Sequence, residues 1–456
     1  MTADPLHRMI AGAIVMLWLV ASAWWLRPRR GAAVVGDATL ILHASQTGQA
    51  LEIAQLTLRR LVEGGRHAVM MPLGLAGPEH LRGCEQLLVI AATTGVGEAP
   101  DEARSFVARH LSGQDAVGMD LSALRYAVLA LGDRKYEDYC AFGRQVDAWL
   151  HAAGAEPLHD RIEVDDLAPE SLSLWSRLLD DLGGVKVEAP AEAQYHGWRI
   201  VSREHLNPVP AYADAEGHPI APTADAVPGL YRILLQPENG LLPEWQAGDL
   251  FEVRTPTGHR RDYSVASLPD EDGVMLLVRE VRDGQGRMGE GSGLLIGDVP
   301  VDGMLFARMR DHAPFHAPAG EGPMLLIAAG SGVAGIRPHA LEAMRDGRPV
   351  WLILGERRPD IDARTIAEAQ SWASERRIAR LDLAFSRLAD GRGRYVQDVV
   401  AAEGAALAEW LGDDGAIMLC GGLAMGKSVE NALEQALGAG WLADARAAGR
   451  YHSDLY

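Results

Sequence analysis

The sequence predicts a mixed chain in which two doubly wound α/β units flank a β-barrel. Three observations predict it. From Gly36 to about Gly183, short apolar runs alternate with amphipathic stretches, the pattern of a parallel sheet covered by helices. From Tyr195 to about Ala313 the texture turns to short β-rich runs, as in a small barrel. From Pro318 onward the α/β alternation returns.

Ahead of these units, Met9 to Leu26 is a run of 18 residues without a charge, near the lower limit for a helix that crosses a bilayer. Trp18, Trp24 and Trp25 suit the lipid interface. Ala21-Ser22-Ala23 also resembles the small-residue cleavage site of a signal peptide. Against cleavage stand Arg27, Arg29 and Arg30 directly after the run, where positive charge holds the flank in the cytoplasm. The expectation is an uncleaved N-terminal transmembrane helix with its basic connector over 1–35, placing a single-pass protein in the inner (cytoplasmic) membrane with its other domains facing the cytoplasm.

In the first α/β unit, 36–183, the strand candidates are Thr39–His43, Leu87–Ala91 and Tyr126–Leu131. Helical stretches follow at Ala50–Glu63, Asp101–Leu111, Ala141–Ala153 and Pro169–Leu182. A linker of Gly, Pro and small residues occupies 184–194. The β-rich unit, 195–317, offers Leu230–Leu235, Leu250–Val253 and Val274–Val281. The last unit, 318–456, offers Met324–Ala329, Val350–Leu354 and Ile417–Cys420.

Composition narrows the chemistry. A formal net charge of -19 argues against nucleic acid, whose phosphates attract basic surfaces, and suits either a basic protein partner or plain solubility. Three dispersed cysteines, Cys84, Cys140 and Cys420, give no metal-ligand spacing and no disulfide framework. Redox chemistry then requires a bound organic cofactor.

Three loops at successive strand ends carry the first candidate site, since open α/β sheets bind ligands there. The first is Ser45-Gln46-Thr47-Gly48-Gln49, whose hydroxyls and following helix N–H groups suit a dianionic phosphate. The second contains Thr93-Thr94-Gly95-Val96-Gly97, and the third Leu131-Gly132-Asp133-Arg134-Lys135-Tyr136. In the β-rich unit, Arg261-Asp262-Tyr263-Ser264-Val265-Ala266-Ser267 combines a guanidinium, an aromatic and two hydroxyls on one strand, and Gly289-Glu290-Gly291-Ser292-Gly293 opens a helix. In the last unit, Gly330-Ser331-Gly332 follows a strand, as a dinucleotide loop does. Ser386-Arg387 and Tyr395-Val396-Gln397 bring hydroxyls and a guanidinium, groups that suit a phosphate.

Together these motifs resemble the diflavin reductases, from about residue 36 to the end of the sequence. SQTGQ, ATTGVGEAPDEA and LGDRKYEDYCAFG look like the three flavin loops of their flavodoxin-like domain. RDYSVAS matches the RxYSxxS signature of ferredoxin-reductase-like FAD domains, and SR with YVQ resembles their NADPH clasp. The resemblance implies a flavodoxin-like FMN domain, an FAD barrel and an NADP-binding domain. It implies that Ser45 to Gln49 hold the FMN phosphate, that Thr93 to Gly97 and Gly132 to Tyr136 flank the ring with Leu131 and Asp133 in the same site, and that Tyr136 stacks on it. Arg261, Tyr263, Ser264, Gly289, Gly291 and Ser292 belong to the FAD site. Gly330, Ser331, Gly332, Arg337, Ser386, Arg387, Arg394, Tyr395 and Gln397 belong to the NADPH site. Ser264, Cys420 and Asp454 surround the hydride path, with Tyr456 covering the FAD ring.

Four positions depart from the family pattern: Thr94 replaces an aromatic found in some relatives, Gly335 a proline, Gly393 a lysine and Gly422 an aspartate. A fifth departure is larger. Eleven residues lie between Asp249 and Arg261, where classical members insert a helical connecting domain, so a compact form is expected.

The function expected from the resemblance is hydride transfer from NADPH to FAD, then single electrons through FMN to a separate acceptor. A sulfite reductase haemoprotein, a haem monooxygenase and a membrane-bound haem or ferric-siderophore reductase system all fit that acceptor. The competing readings are a single-flavin reductase whose flavodoxin-like domain is a docking module, and a membrane redox sensor with negligible turnover.

Overall fold

The computed structural model describes residues 36–46, 48–94, 97–111, 119–134, 138–187, 194–207, 228–282, 286–388 and 391–456. Its first sheet holds β1 (Gly36–Ala44), β2 (Ala68–Pro72), β3 (Cys84–Ala92), β4 (Arg125–Gly132), β5 (Glu156–Pro157) and β6 (Ile162–Asp165). The order is β2-β1-β3-β4-β5, with β6 also on β4, and the pairings are parallel. The middle strands are apolar on both sides because both faces are covered. Leu40, Leu42, Leu87 and Val89 pack with Phe142 and Trp149 on one face. Their neighbours Ile41, Leu88 and Ile90 pack with Trp175 and Leu178 on the other, as the two-residue period of a strand requires.

The helices Gln49–Glu63, Ala141–Ala152 and Pro169–Asp181 supply those layers. The expected helix over 101–111 is instead a tight turn, one α-turn and a wide turn in succession. Ser105 and Arg109 both donate to the Gly74 carbonyl, tying this segment to an earlier loop.

The β-rich unit is a six-stranded antiparallel sheet of β7 (His196–His205), β8 (Leu230–Pro237), β9 (Leu250–Arg254), β10 (Arg260–Ser264), β11 (Val274–Arg279) and β12 (Met304–Arg310). Its order is β10-β9-β12-β7-β8-β11. A bridge between Val265 and Leu276 brings the two edge strands together and curls the sheet into a barrel around Trp198, Ile200, Phe251, Val253 and Val278. The eleven residues expected to leave no room for an extra domain are the body of β9, a turn closed by Thr255 N–H on the His259 carbonyl (2.8 Å), and the start of β10.

The third sheet holds β13 (Met324–Ala329), β14 (Val350–Glu356), β15 (Arg380–Phe385), β16 (Ala416–Gly421) and β17 (Tyr451–Leu455), parallel in the order β15-β14-β13-β16-β17. β17 is held because Tyr451, Ser453 and Asp454 are buried against β16, so burial overrides the ordinary tendency of chain ends to fray.

The expectation of an inner-membrane protein is corrected. Among the described residues no helix is long and apolar enough to cross a membrane. The two longest, Gln49–Glu63 and Leu423–Leu437, have 15 residues each; at about 1.5 Å per residue they fall short of a hydrocarbon core about 30 Å thick. The segment Met9–Leu26, on which that expectation rested, lies outside the described residues.

The first unit docks directly on the other two. Arg308 of β12 reaches Glu52 with both terminal nitrogens (2.7 and 2.9 Å) while its Nε donates to the fully buried Glu252 (2.8 Å). Gln46 donates to the Ser453 carbonyl at 3.1 Å, Arg261 pairs with Asp166 at 2.8 Å, and Lys427 pairs with Glu98 at 2.6 Å.

Candidate functional site

Because β1, β3 and β4 run the same way, the loops after them gather at one edge. Ser45 is buried there; its Oγ accepts from Ala50 N–H at 3.2 Å and its own N–H donates to Glu102 at 3.1 Å. The hydroxyl therefore ties the loop to the start of the helix Gln49–Glu63. Gln46, Gly48 and Gln49 stand beside it, and Thr47 lies outside the described residues. After β3, Thr93 Oγ1 accepts from Phe142 N–H at 3.3 Å, and Thr94 pairs with Glu98 across a tight loop. Gly97 in that loop takes φ +90°, and a Cβ there would lie 2.6 Å from Asp138, so only glycine fits. Gly95 and the expected stacking residue Tyr136 lie outside the described residues.

These loops enclose a cavity of about 290 Å³ that includes Leu131, Gly132, Asp133 and Tyr139. From the sequence Tyr139 was not assigned to the site, unlike its neighbour Tyr136. Its ring stands 5.3 Å and 5.7 Å from the guanidinium carbons of Arg134 and Arg144. The signal for it was a second aromatic three residues after Tyr136 in KYEDY. The far wall of the cavity comes from the other units: Asp262, Leu423, Leu455 and Tyr456.

In the barrel, β10 turns Arg261 and Tyr263 toward Gly291, where a Cβ would come within 2.7 Å of both side chains. Gly289 precedes that turn, and Ser292 Oγ accepts from Val281 N–H at 3.3 Å. Arg261 is shared: one terminal nitrogen pairs with Asp166, and the other is buried without a partner. A guanidinium with an unpaired nitrogen, on a strand packed against a glycine turn, suits a pyrophosphate, so the residues suit the FAD that the motif implies.

A second, larger cleft of about 530 Å³ opens over the third sheet. Gly330, Ser331, Ser386, Arg394, Tyr395, Gln397 and Tyr456 line it. Arg387 follows Ser386, its N–H bonded to the Arg357 carbonyl at 2.8 Å. A Cβ at Gly332 would lie 2.2 Å from the Cys420 carbonyl, so the loop sits tight on β16. The cleft also holds Arg279, Glu356 and Arg357, which sequence reasoning missed because the ends of β11 and β14 carried no motif. Arg337 is placed elsewhere. Its guanidinium is buried between Glu271 and Glu368, at 3.0 and 2.9 Å, and donates to the Ala266 carbonyl at 2.7 Å. It ties the helix Val333–Arg345 to the barrel instead of facing the cleft.

Between these sites lies a polar cluster around the buried Asp454 and Cys420. The parallel register of β16 and β17 sets Cys420 opposite Asp454, and Ser264 ends β10 against them. Ser264 Oγ donates to Asp454 Oδ2 at 3.2 Å, and Cys420 Sγ lies 3.9 Å from the same oxygen. The other carboxylate oxygen is 3.9 Å from His312 Nε2. Burial pushes the Asp454 carboxyl up, opposed by the Ser264 hydrogen bond and by Arg310. Burial and the Asp454 charge push the Cys420 thiol up, so it stays protonated and is no nucleophile. Burial, helped by Arg310, pushes His312 down to about 3, which leaves it neutral. Tyr456 closes the group, its hydroxyl 2.9 Å from Ser331 Oγ.

Residues 41–174 match the family described as Flavodoxin, and residues 326–431 match the Oxidoreductase NAD-binding domain. Among curated proteins, the chain is similar to the sulfite reductase [NADPH] flavoprotein alpha-component of Salmonella paratyphi A, 25% identical, covering 96% of this chain and 93% of that one. The same component of Thiocapsa roseopersicina is 26% identical over 86% of this chain and 82% of its own length. That of Bacillus subtilis is 24% identical over 93% and 90%. The alignment with the Salmonella protein runs to 564 positions on a 456-residue chain, so the relative carries segments that this chain lacks.

Proposed function

The chain belongs to the diflavin reductase family, and from that premise we propose that it delivers electrons from NADPH, one at a time, to a separate haem- or metal-containing acceptor protein. It is an NADPH-dependent flavoprotein oxidoreductase whose cofactors are FMN and FAD. When bound, the flavins and nicotinamide supply the hydride and electron chemistry. The chain's own residues bind them, orient them and set the charge around them. In this reading 36–183 holds FMN, 195–317 holds FAD and 318–456 holds NADPH. Ser264, Cys420 and Asp454 form the centre at which the hydride passes.

The observation that carries the proposal is the shared wall. The cavity assigned to FMN is closed by Leu455 and Tyr456, which directly follow Asp454 in the chain, and by Asp262, two residues before Ser264. The two ends of the relay are thus a few side chains apart in one polypeptide. The acceptor is proposed from the relatives, which are named as the flavoprotein component of sulfite reductase; a haemoprotein with a basic docking face suits a chain of net charge -19.

Flavin extraction tests the relay. One FMN and one FAD per chain are expected, and FAD alone defeats it. Ser45→Asp, which sets a carboxylate where a phosphate is expected, should remove FMN and acceptor reduction while sparing NADPH–ferricyanide activity. Arg394→Ala tests the nucleotide assignment. It should raise KM for NADPH about 10- to 100-fold while leaving KM for NADH in place, the scale of a lost hydrogen bond to a charged group, about 1.5–3 kcal/mol. Equal losses with both nucleotides would remove Arg394 from the 2′-phosphate site.

A further inference from the structure

We propose that Asp262 is an FMN ligand supplied across the interface: its Oδ1 accepts a hydrogen bond from a flavin N–H or a ribityl hydroxyl, so the FAD-binding barrel helps hold the FMN that it reduces. The inference rests on the FMN assignment above and gives a role to the variable second position of the RxYSxxS signature, which the motif itself leaves unassigned. Strand alternation carries it first. Arg261 and Tyr263 face the Gly291 turn, so the residue between them faces the opposite way, into the cavity of the first unit.

The carboxylate is half satisfied there. Oδ2 accepts from Arg310 Nη2 at 2.5 Å and from Gln49 Nε2, a residue of the phosphate loop, at 3.4 Å. Oδ1 is buried with no hydrogen-bond partner. A buried carboxylate oxygen without a donor is costly, and a donor arriving with the ligand removes that cost. FMN brings such donors: the ring has one N–H between two carbonyls, and the ribityl chain has hydroxyls. The groups around the carboxyl are Arg310, Glu252, Arg308 and Asp454. Burial pushes it up to about 6 despite Arg310. A negative charge in that wall opposes electrons arriving on FMN.

FMN affinity of the deflavinated full chain, read by quenching of flavin fluorescence, tests this. Asp262→Ala should weaken FMN about 10-fold or more, the scale of one hydrogen bond to a charged group. Asp262→Asn, isosteric and neutral, should raise the FMN midpoint potential while FAD stays at one per chain, which also checks folding. Unchanged FMN affinity in the first variant, or an unchanged potential in the second, overturns the proposal. Ser45→Asp separates the two readings: if it too leaves FMN affinity unchanged, the FMN assignment itself has failed. A crystal structure of the FMN-loaded wild type decides the matter without any variant, by a flavin donor within about 3.2 Å of Oδ1 or by none.

Discussion

Asp454→Asn should slow the anaerobic reduction of FAD by NADPH by about 100-fold, the scale of losing one preorganised group beside developing charge. The nicotinamide becomes cationic as it gives up a hydride, and a carboxylate in a dry site is the natural counter-charge. Ser264 and Cys420 both point at Oδ2, so they position the carboxylate, and an amide in its place keeps the shape without the charge. The pH dependence has a definite sign. Burial raises the Asp454 carboxyl in the folded state, so the proton stays on to a higher pH than in the unfolded chain. The rate should therefore climb as pH rises through that raised titration, and the asparagine variant should lose the climb. Stability runs the other way: the folded state binds the extra proton in that window, so ionised Asp454 costs stability above it. Asn should then leave Tm no lower. A slow enzyme with a depressed Tm would mark Asp454 as merely structural.

Arg308→Ala is expected to separate the two halves of the relay. Arg308 is 5% exposed and stands between Glu52 of the first unit and Glu252, which is 0% exposed. Removing one partner of a buried ion pair costs up to about 3–5 kcal/mol, and less here because Glu252 keeps Arg310 at 3.5 Å and the Tyr195 hydroxyl. The first unit would lose its principal clasp. Electron delivery through FMN should fall about 10-fold or more, an interaction loss of at least ~1.4 kcal/mol, while ferricyanide reduction from FAD persists. Glu52→Ala should reproduce the loss of delivery with a smaller drop in Tm, since Glu52 is partly exposed and Glu252 keeps its arginine. Stopped-flow absorbance at the two flavins distinguishes these outcomes; equal loss at both flavins would show that the pair supports the fold at large.

Much of this was legible in the residues. The three strand-end loops, the RDYSVAS strand and the glycines at 291, 330 and 332 stood out as residue patterns, because a positive φ at Gly330 and a close approach at Gly291 and Gly332 leave few residue choices. Apolar runs marked the central strands of each unit, such as β1, β3 and β4 or β13, β14 and β16. What escaped was set by contacts far apart in sequence. Asp262 reads as filler between Arg261 and Tyr263 until the barrel is docked on the first unit. Arg337 sits two residues past Gly335 on the helix that follows a dinucleotide loop, and only the folded chain shows Glu271 and Glu368 closing on it. β17 has a weakly apolar sequence and becomes a strand because β16 leaves an edge for it. The expected membrane location is corrected on different ground: it rested on the apolar run with its tryptophans and arginine flank, a segment outside the described residues, and no helix among the described residues is long and apolar enough to cross a membrane.

The shared wall has a practical consequence for anyone dissecting the molecule. A segment excised at 36–183 would retain the phosphate loop yet leave one side of its flavin open to bulk water. Such a fragment should shed its pigment on dialysis and, once reduced, hand electrons to dissolved oxygen. Transplanting this module onto another reductase would need the lid as well as the cup.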